Sequence, residues 1–149
     1  MFAVTFSILL MGSIQLYFLR NDRKVDFTYK VYIDFMVFLK DNSDLKEWLL
    51  GKTATDKLSN EYRAGDLLER FEAIWALKGK SAIDEDIMYA LISWYVEMAF
   101  ETAKAREYIK KARSENEISY PDDLFAGTEK LYQWIVRITN HKKANKIID

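Results

Sequence analysis

Apolar residues fill the first 19 positions of the chain almost without a break. Met1 to Leu19 carries no charged side chain, and Arg20, Asn21, Asp22, Arg23 and Lys24 follow at once. Thr5, Ser7, Gly12, Ser13 and Gln15 are the only non-apolar members of the run. As a helix, rising about 1.5 Å per residue, it would extend roughly 28 Å, close to the hydrocarbon thickness of a bilayer. The pattern predicts a membrane span over residues 1–19. Tyr17 and Phe18 would lie at headgroup level, with Arg20, Arg23 and Lys24 just beyond. Basic residues follow the run and none precedes it, so the positive-inside bias places the rest of the chain in the cytosol. A cleavable signal peptide fits less well. It needs a basic start and a small-residue cleavage site, whereas this run ends Leu16-Tyr17-Phe18-Leu19. A buried helix in a soluble core is the other reading, because a helix apolar on all sides can be either.

The next stretch carries two periodicities at once. Val25, Phe27, Tyr29, Val31, Ile33, Phe35, Val37 and Leu39 alternate as in a strand. Asp26, Lys30 and Asp34 recur every four residues, which on a helix makes one polar stripe of favourable neighbours. Helix is the better reading, since a strand of this length is unusual and no other segment offers it a partner. Such a helix would be deeply packed or lie partly at the membrane, and it can continue directly from the span.

Further along, Leu45–Leu50 reads as a short helix capped by Asp44 and stopped by Gly51. A longer helix starts near Thr53 or Ser59 and runs to Lys78. Leu67, Leu68, Phe71, Ile74, Trp75 and Leu77 form its apolar face, and Gly79 supplies the left-handed stop. One long helix is expected from Asp84 to about Arg113. Asp84, Glu85 and Asp86 stand at its start and Lys104, Arg106, Lys110, Lys111 and Arg113 toward its end, as the helix dipole favours. Ser114 to Ser119 is a polar loop. Pro121 then opens a last helix with Asp122 and Asp123 beside it, on which Leu124, Thr128, Leu131, Ile135 and Ile138 recur. The expected architecture is all-α: an N-terminal transmembrane helix followed by a bundle of about five helices, several antiparallel. Its parts are an anchor (residues 1–19), a helical cytosolic domain (20–141) and a basic flexible tail (142–149).

Composition narrows the chemistry. The 149 residues carry a net charge of −1, so no global basic field draws nucleic acid, and none is expected as a partner. There is no cysteine, which removes disulfides, thiolate nucleophiles, zinc knuckles and iron–sulfur clusters together. Five glycines and one proline are too few breakers for a fold of strands and turns. The single histidine, His141, lies near the C-terminus beside Asn140 and Lys142, so neither a Glu-x-x-His metal pair nor a histidine base is available within the bundle. No metal or cofactor is expected. The remaining candidates are carboxylates: Glu69 with Glu72 on one helix, Glu97 with Glu101 on another. Buried together, such a pair can hold a cation or do acid–base work, although solvated helix faces look the same. Glu97, between apolar neighbours, would need a partner such as Arg70 or Arg106 if buried. Glu72 beside Phe71 should be shielded, paired with a basic residue of the next long helix or bonded to a backbone donor.

From Glu69 onward the order of features includes Phe71-Glu72, Gly79, Ile83-Asp84, Trp94, Tyr108-Ile109, Arg113, Pro121 and Glu129-Lys130-Leu131. With the N-terminal span and Arg20, this resembles a group of small bacterial membrane-anchored helical proteins of unknown function. The resemblance implies one span in the bacterial inner membrane, a cytosolic helical domain and no catalytic residues. It makes Glu72, Asp84 and Arg113 candidates for structural polar anchors, and Glu97 joins them because of its apolar neighbours. Two function classes follow. One is a non-enzymatic interaction or scaffolding module with the bilayer and a protein partner, including a second copy of itself through Gly12 and Ser13. The other is a ligand-binding or enzymatic domain using buried Glu72 or Glu97, marked by an apolar pocket with one of them facing inward.

Overall fold

The uncharged run and the ambiguous stretch after it form one helix in the computed structural model, α1 (Phe2–Asp41). The structure describes the backbone of residues 2–43, 45, 57–102, 104–115 and 123–145, and the side chains of residues 18–43, 45, 63–102, 105–115 and 123–144. Four further helices follow among the described residues: α2 (Lys57–Gly79), α3 (Glu85–Glu101), α4 (Lys104–Glu115) and α5 (Ala126–Asn145). The fold is all-α, and residues 25–39 are helical throughout. The short helix expected over Leu45–Leu50 lies almost wholly outside the described residues. So do the side chains of the expected span up to Tyr17. Among the described residues no helix is long and apolar enough to cross a membrane.

Helical period sorts α1 into two faces. Thr28, Phe35, Phe38 and Leu39 are buried, whereas Tyr29, Ile33 and Val37, four residues apart, are about half exposed beside the wet Asp26, Lys30 and Asp34. The helix closes where the Asn42 amide donates to the Phe38 carbonyl at 2.9 Å. Phe35 is the hub of the inner face. Its ring meets Phe71 of α2 at 5.8 Å and Tyr95 of α3 edge-on at 5.4 Å, spacings typical of attractive aromatic pairs. Leu67, Leu68, Ile74, Met88, Ile92, Val96, Ile109, Leu131 and Ile135 complete the core around it.

Side-chain contacts set the helix directions. Phe35 meets Phe71 and Phe38 lies under Arg70, while Val31 shares a groove with Leu77, so α2 runs antiparallel to α1. Thr28 meets Asp84 and Phe35 meets Tyr95, so α3 returns parallel to α1. Phe100 stacks on Tyr132 and Tyr89 meets Lys142, so α5 descends against α3 and parallel to α2, its most extensive neighbour. The base of α1, the α2–α3 turn and the end of α5 therefore share one end of the bundle.

Four boundaries differ from the sequence reading. The long helix expected over Asp84–Arg113 is two helices. Thr102 ends α3, its hydroxyl turned back onto the Met98 carbonyl at 2.9 Å, and the Arg106 guanidinium takes the Phe100 carbonyl at 2.6 Å. The Arg106 side chain takes a carbonyl that a continuing helix would have used, and α4 starts afresh at Lys104. The left-handed stop of α2 falls on Ser81 (φ 52°), not Gly79. Ser81 N–H donates to Lys78 and Ala82 N–H to Leu77, the paired bonds of a Schellman closure around Ser81, which leaves Gly79 inside the helix. The last helix begins at Ala126 rather than at Pro121, which lies outside the described residues, and Leu124 precedes it. At its C-terminal end α5 runs to Asn145, so Lys142 and Lys143, where the basic tail was expected to begin, stand on its last turns.

Candidate functional site

The start of α5 has no cap of its own. Helix N-termini are usually closed by Ser, Thr, Asp or Asn, whose oxygen takes a free N–H of the first turn. Here Phe125 occupies that position, with a left-handed φ of 61° that is unusual for a bulky residue. Burial of its ring beside Tyr108 offsets the cost. The missing acceptor arrives from another helix. The Glu72 carboxylate of α2 accepts from Gly127 N–H at 3.0 Å and Thr128 N–H at 2.7 Å. The Thr128 hydroxyl stands 3.1 Å from the same carboxylate and 2.9 Å from the Leu68 carbonyl, and its single proton serves one of them at a time. An anion at this place also meets the positive end of the helix dipole. Among the described residues Glu72 is therefore bonded to backbone donors and a hydroxyl, not to a basic side chain. A Cβ at Gly127 would stand 2.5 Å from the Glu72 Oε1, so the close approach requires glycine.

Arg113 serves the same turn from α4. Its guanidinium donates to the Leu124 carbonyl at 2.8 Å and to Glu129 Oε2 at 2.8 Å, a half-buried ion pair. Glu72 and Arg113 thus hold one segment, Leu124–Glu129, from two helices. They do not pair with each other.

Asp84 stands at the opposite end of the bundle as the N-cap of α3, accepting from Ile87 N–H at 3.0 Å. Its own N–H donates to Thr28 Oγ1 at 2.7 Å, and that hydroxyl in turn donates to the Lys24 carbonyl at 2.7 Å. Thr28 is fully buried and rivets α1 to the start of α3.

Glu97 is half-buried and accepts from the Thr139 hydroxyl at 2.8 Å. Tyr89 Oη lies 2.9 Å from Thr139 and completes a relay Tyr89–Thr139–Glu97 between α3 and α5. The arginine partners expected for Glu97 are used elsewhere. Arg70 lies over the Phe38 ring at 4.1 Å, and Arg106 holds the end of α3. Burial, then the neighbouring Tyr32, holds the Tyr95 phenol above its ordinary value near 10.

The anchors stand apart: Glu72 and Arg113 hold the start of α5, and Asp84 caps α3 at the opposite end of the bundle. The grooves along α1 and α2 are walled by residues such as Phe38, Asp66, Glu69 and Arg70, and neither Glu72 nor Glu97 walls them. No group of three metal-ligating side chains gathers among the described residues. Of the expected membrane border, Phe18 is 60% exposed, Arg20 and Arg23 are exposed, Lys24 is half-buried, and the Tyr17 side chain lies outside the described residues.

Sequence reasoning missed the threonines Thr28 and Thr139, the role of Glu129 and the tight contact at Gly127. Thr28 left one signal, a β-branched hydroxyl inside an otherwise apolar helix face, where a polar group needs a partner. No protein-family model, curated protein or solved structure matches this chain.

Proposed function

We propose that the chain is a membrane-anchored, non-enzymatic helical module that presents an interaction surface at the cytosolic face. One observation carries the reading: α1 is continuous for 40 residues, uncharged over its first half and built into the bundle's core by Phe35, Phe38 and Leu39 in its second. A domain joined to a span this way is held close to the bilayer at a fixed height and orientation, because no flexible linker separates them. The polar side chains singled out by sequence support the same reading, since Glu72, Asp84, Glu97 and Arg113 are engaged in fastening helices. The surface offered to a protein partner, or to a second copy of the chain, is the exposed stripe Tyr29, Ile33 and Val37. The resemblance to small bacterial membrane-anchored helical proteins points the same way.

Alkaline carbonate washing of membranes tests the anchor: the chain should stay in the pellet, and release into the wash would overturn the span. Affinity capture of the full-length protein, followed by mass spectrometry, tests the module. A partner that Ile33→Asp abolishes, with the thermal midpoint unchanged, supports the stripe, whereas retention of that partner by Ile33→Asp removes it.

A further inference from the structure

The base of α1 does not stand alone. The Thr28 rivet fixes the α2–α3 turn beside residues 19–28, bringing Lys80 to the same place as Arg20, Arg23 and Lys24. The four cations wall an open groove of about 750 Å³, closed on one side by the turn at Ser81 and Ala82. Leu19 and Phe27 supply its apolar wall, and Phe27 is 40% exposed. Among the described residues no carboxylate lines it. Asp22 and Asp26 belong to the same stretch of α1, and Glu85 is taken by Lys78 at 3.2 Å. Among the described residues none of the four cations forms an ion pair. Thr28 lies nine residues past Leu19, so the groove stands within roughly 14 Å of the end of the uncharged run.

We infer that this groove is a binding site for the phosphate headgroup of an anionic phospholipid. Four cations in one concavity suit a phosphate oxygen cluster, which Arg binds bidentately and Lys as a point charge. Leu19 and Phe27 suit the glycerol and upper acyl carbons, which a soluble phosphate lacks, so the lipid is the better occupant. A basic pocket just cytosolic of a span is where anionic headgroups are held. The inference rests on reading residues 1–19 as a span, and it adds Lys80, brought in by the fold from more than 50 residues away.

Full-length protein in mild detergent, titrated with short-chain phosphatidylglycerol or phosphatidylcholine and read by native mass spectrometry, tests it. Phosphatidylglycerol should bind at least about tenfold more tightly. Lys80→Ala should weaken it about fivefold, the effect of one cation near an anionic surface, and Lys80→Arg should restore it. Lys110→Ala, which removes an exposed cation on α4, should change nothing; an equal loss there would mean net charge and overturn the site. Equal affinity for the two lipids would also overturn it, as would displacement of the lipid by equimolar inorganic phosphate or an acidic peptide. A parallel alkaline wash of the chain in pure phosphatidylcholine vesicles separates the two readings. Retention there without anionic preference refutes the groove and leaves the anchor. Release there, with a preference that Lys80→Ala removes, refutes the anchor and leaves the groove.

Discussion

Removing the Glu72 carboxylate should unfasten α5, and the geometry sets how much. Two backbone N–H groups, on Gly127 and Thr128, lose a charged acceptor in Glu72→Ala. Hydrogen bonds to charged groups contribute about 1.5–3 kcal/mol each where water is excluded. Glu72 is only half-buried, so water takes over part of the loss, and a net cost of about 2–3 kcal/mol is expected. For a chain of this size that lowers the thermal midpoint by roughly 8–12 °C, followed by helical circular dichroism of the full-length protein in detergent. Gly127→Ala gives the sharper test. In the wild type its Cβ would displace the carboxylate and undo the cap, so it should destabilise by about 1–2 kcal/mol. With Glu72→Ala already present the space is free, and the same change should stabilise by up to about 1 kcal/mol, the helix preference of Ala over Gly. The effect of Gly127→Ala should thus reverse sign between the two backgrounds. Additive effects, or a Glu72→Ala midpoint within about 2 °C of wild type, would refute the cap.

Three further outcomes follow. Thr139→Val leaves Glu97 and Tyr89 without their shared hydroxyl and should cost about 1–2 kcal/mol in a denaturant titration, against no change if the relay is slack. Ser81→Gly should raise the thermal midpoint by a few degrees, because the left-handed backbone costs a side chain about 1–2 kcal/mol and glycine nothing; a fall would show that the Ser81 side chain makes a contact worth more. Tyr95 keeps its proton longer folded than unfolded, so its contribution is intact below about pH 10 and is lost as pH rises above it; the fall in denaturation midpoint from about pH 9 to pH 11 should be smaller in Tyr95→Phe.

The helical class was legible because hydrophobic period, charge placement and scarce breakers all agree, and in α1 the i, i+4 polar stripe outweighed the strand-like alternation. The break in the expected 30-residue helix was hidden, since Thr102 and Arg106 are ordinary helix residues until their side chains turn back onto the Met98 and Phe100 carbonyls. The start of α5 was hidden for a different reason. Its cap comes from Glu72, more than 50 positions away, and local signals around Pro121 and Asp122 pointed five residues too early. Asp84 was visible as the start of α3 because its charge acts on its own helix. Glu72 and Glu97 were visible as polar groups among apolar neighbours and Arg113 only through the resemblance, but their partners, two backbone amides, a carbonyl with Glu129 and a threonine, are set by tertiary contact alone. Lys80 carries no sequence signal linking it to Arg20, Arg23 and Lys24; the Thr28–Asp84 bond creates that neighbourhood.

The absence of native cysteine allows the membrane reading to be tested at one site. Glu107, exposed on α4, can be changed to cysteine (Glu107→Cys) in the full-length chain and probed with a membrane-impermeant maleimide in sealed vesicles of both orientations. A domain held at the cytosolic face predicts labelling in inverted vesicles and none in right-side-out vesicles until they are permeabilised. Equal labelling in right-side-out vesicles, or recovery of the labelled chain free of the membrane, would contradict it.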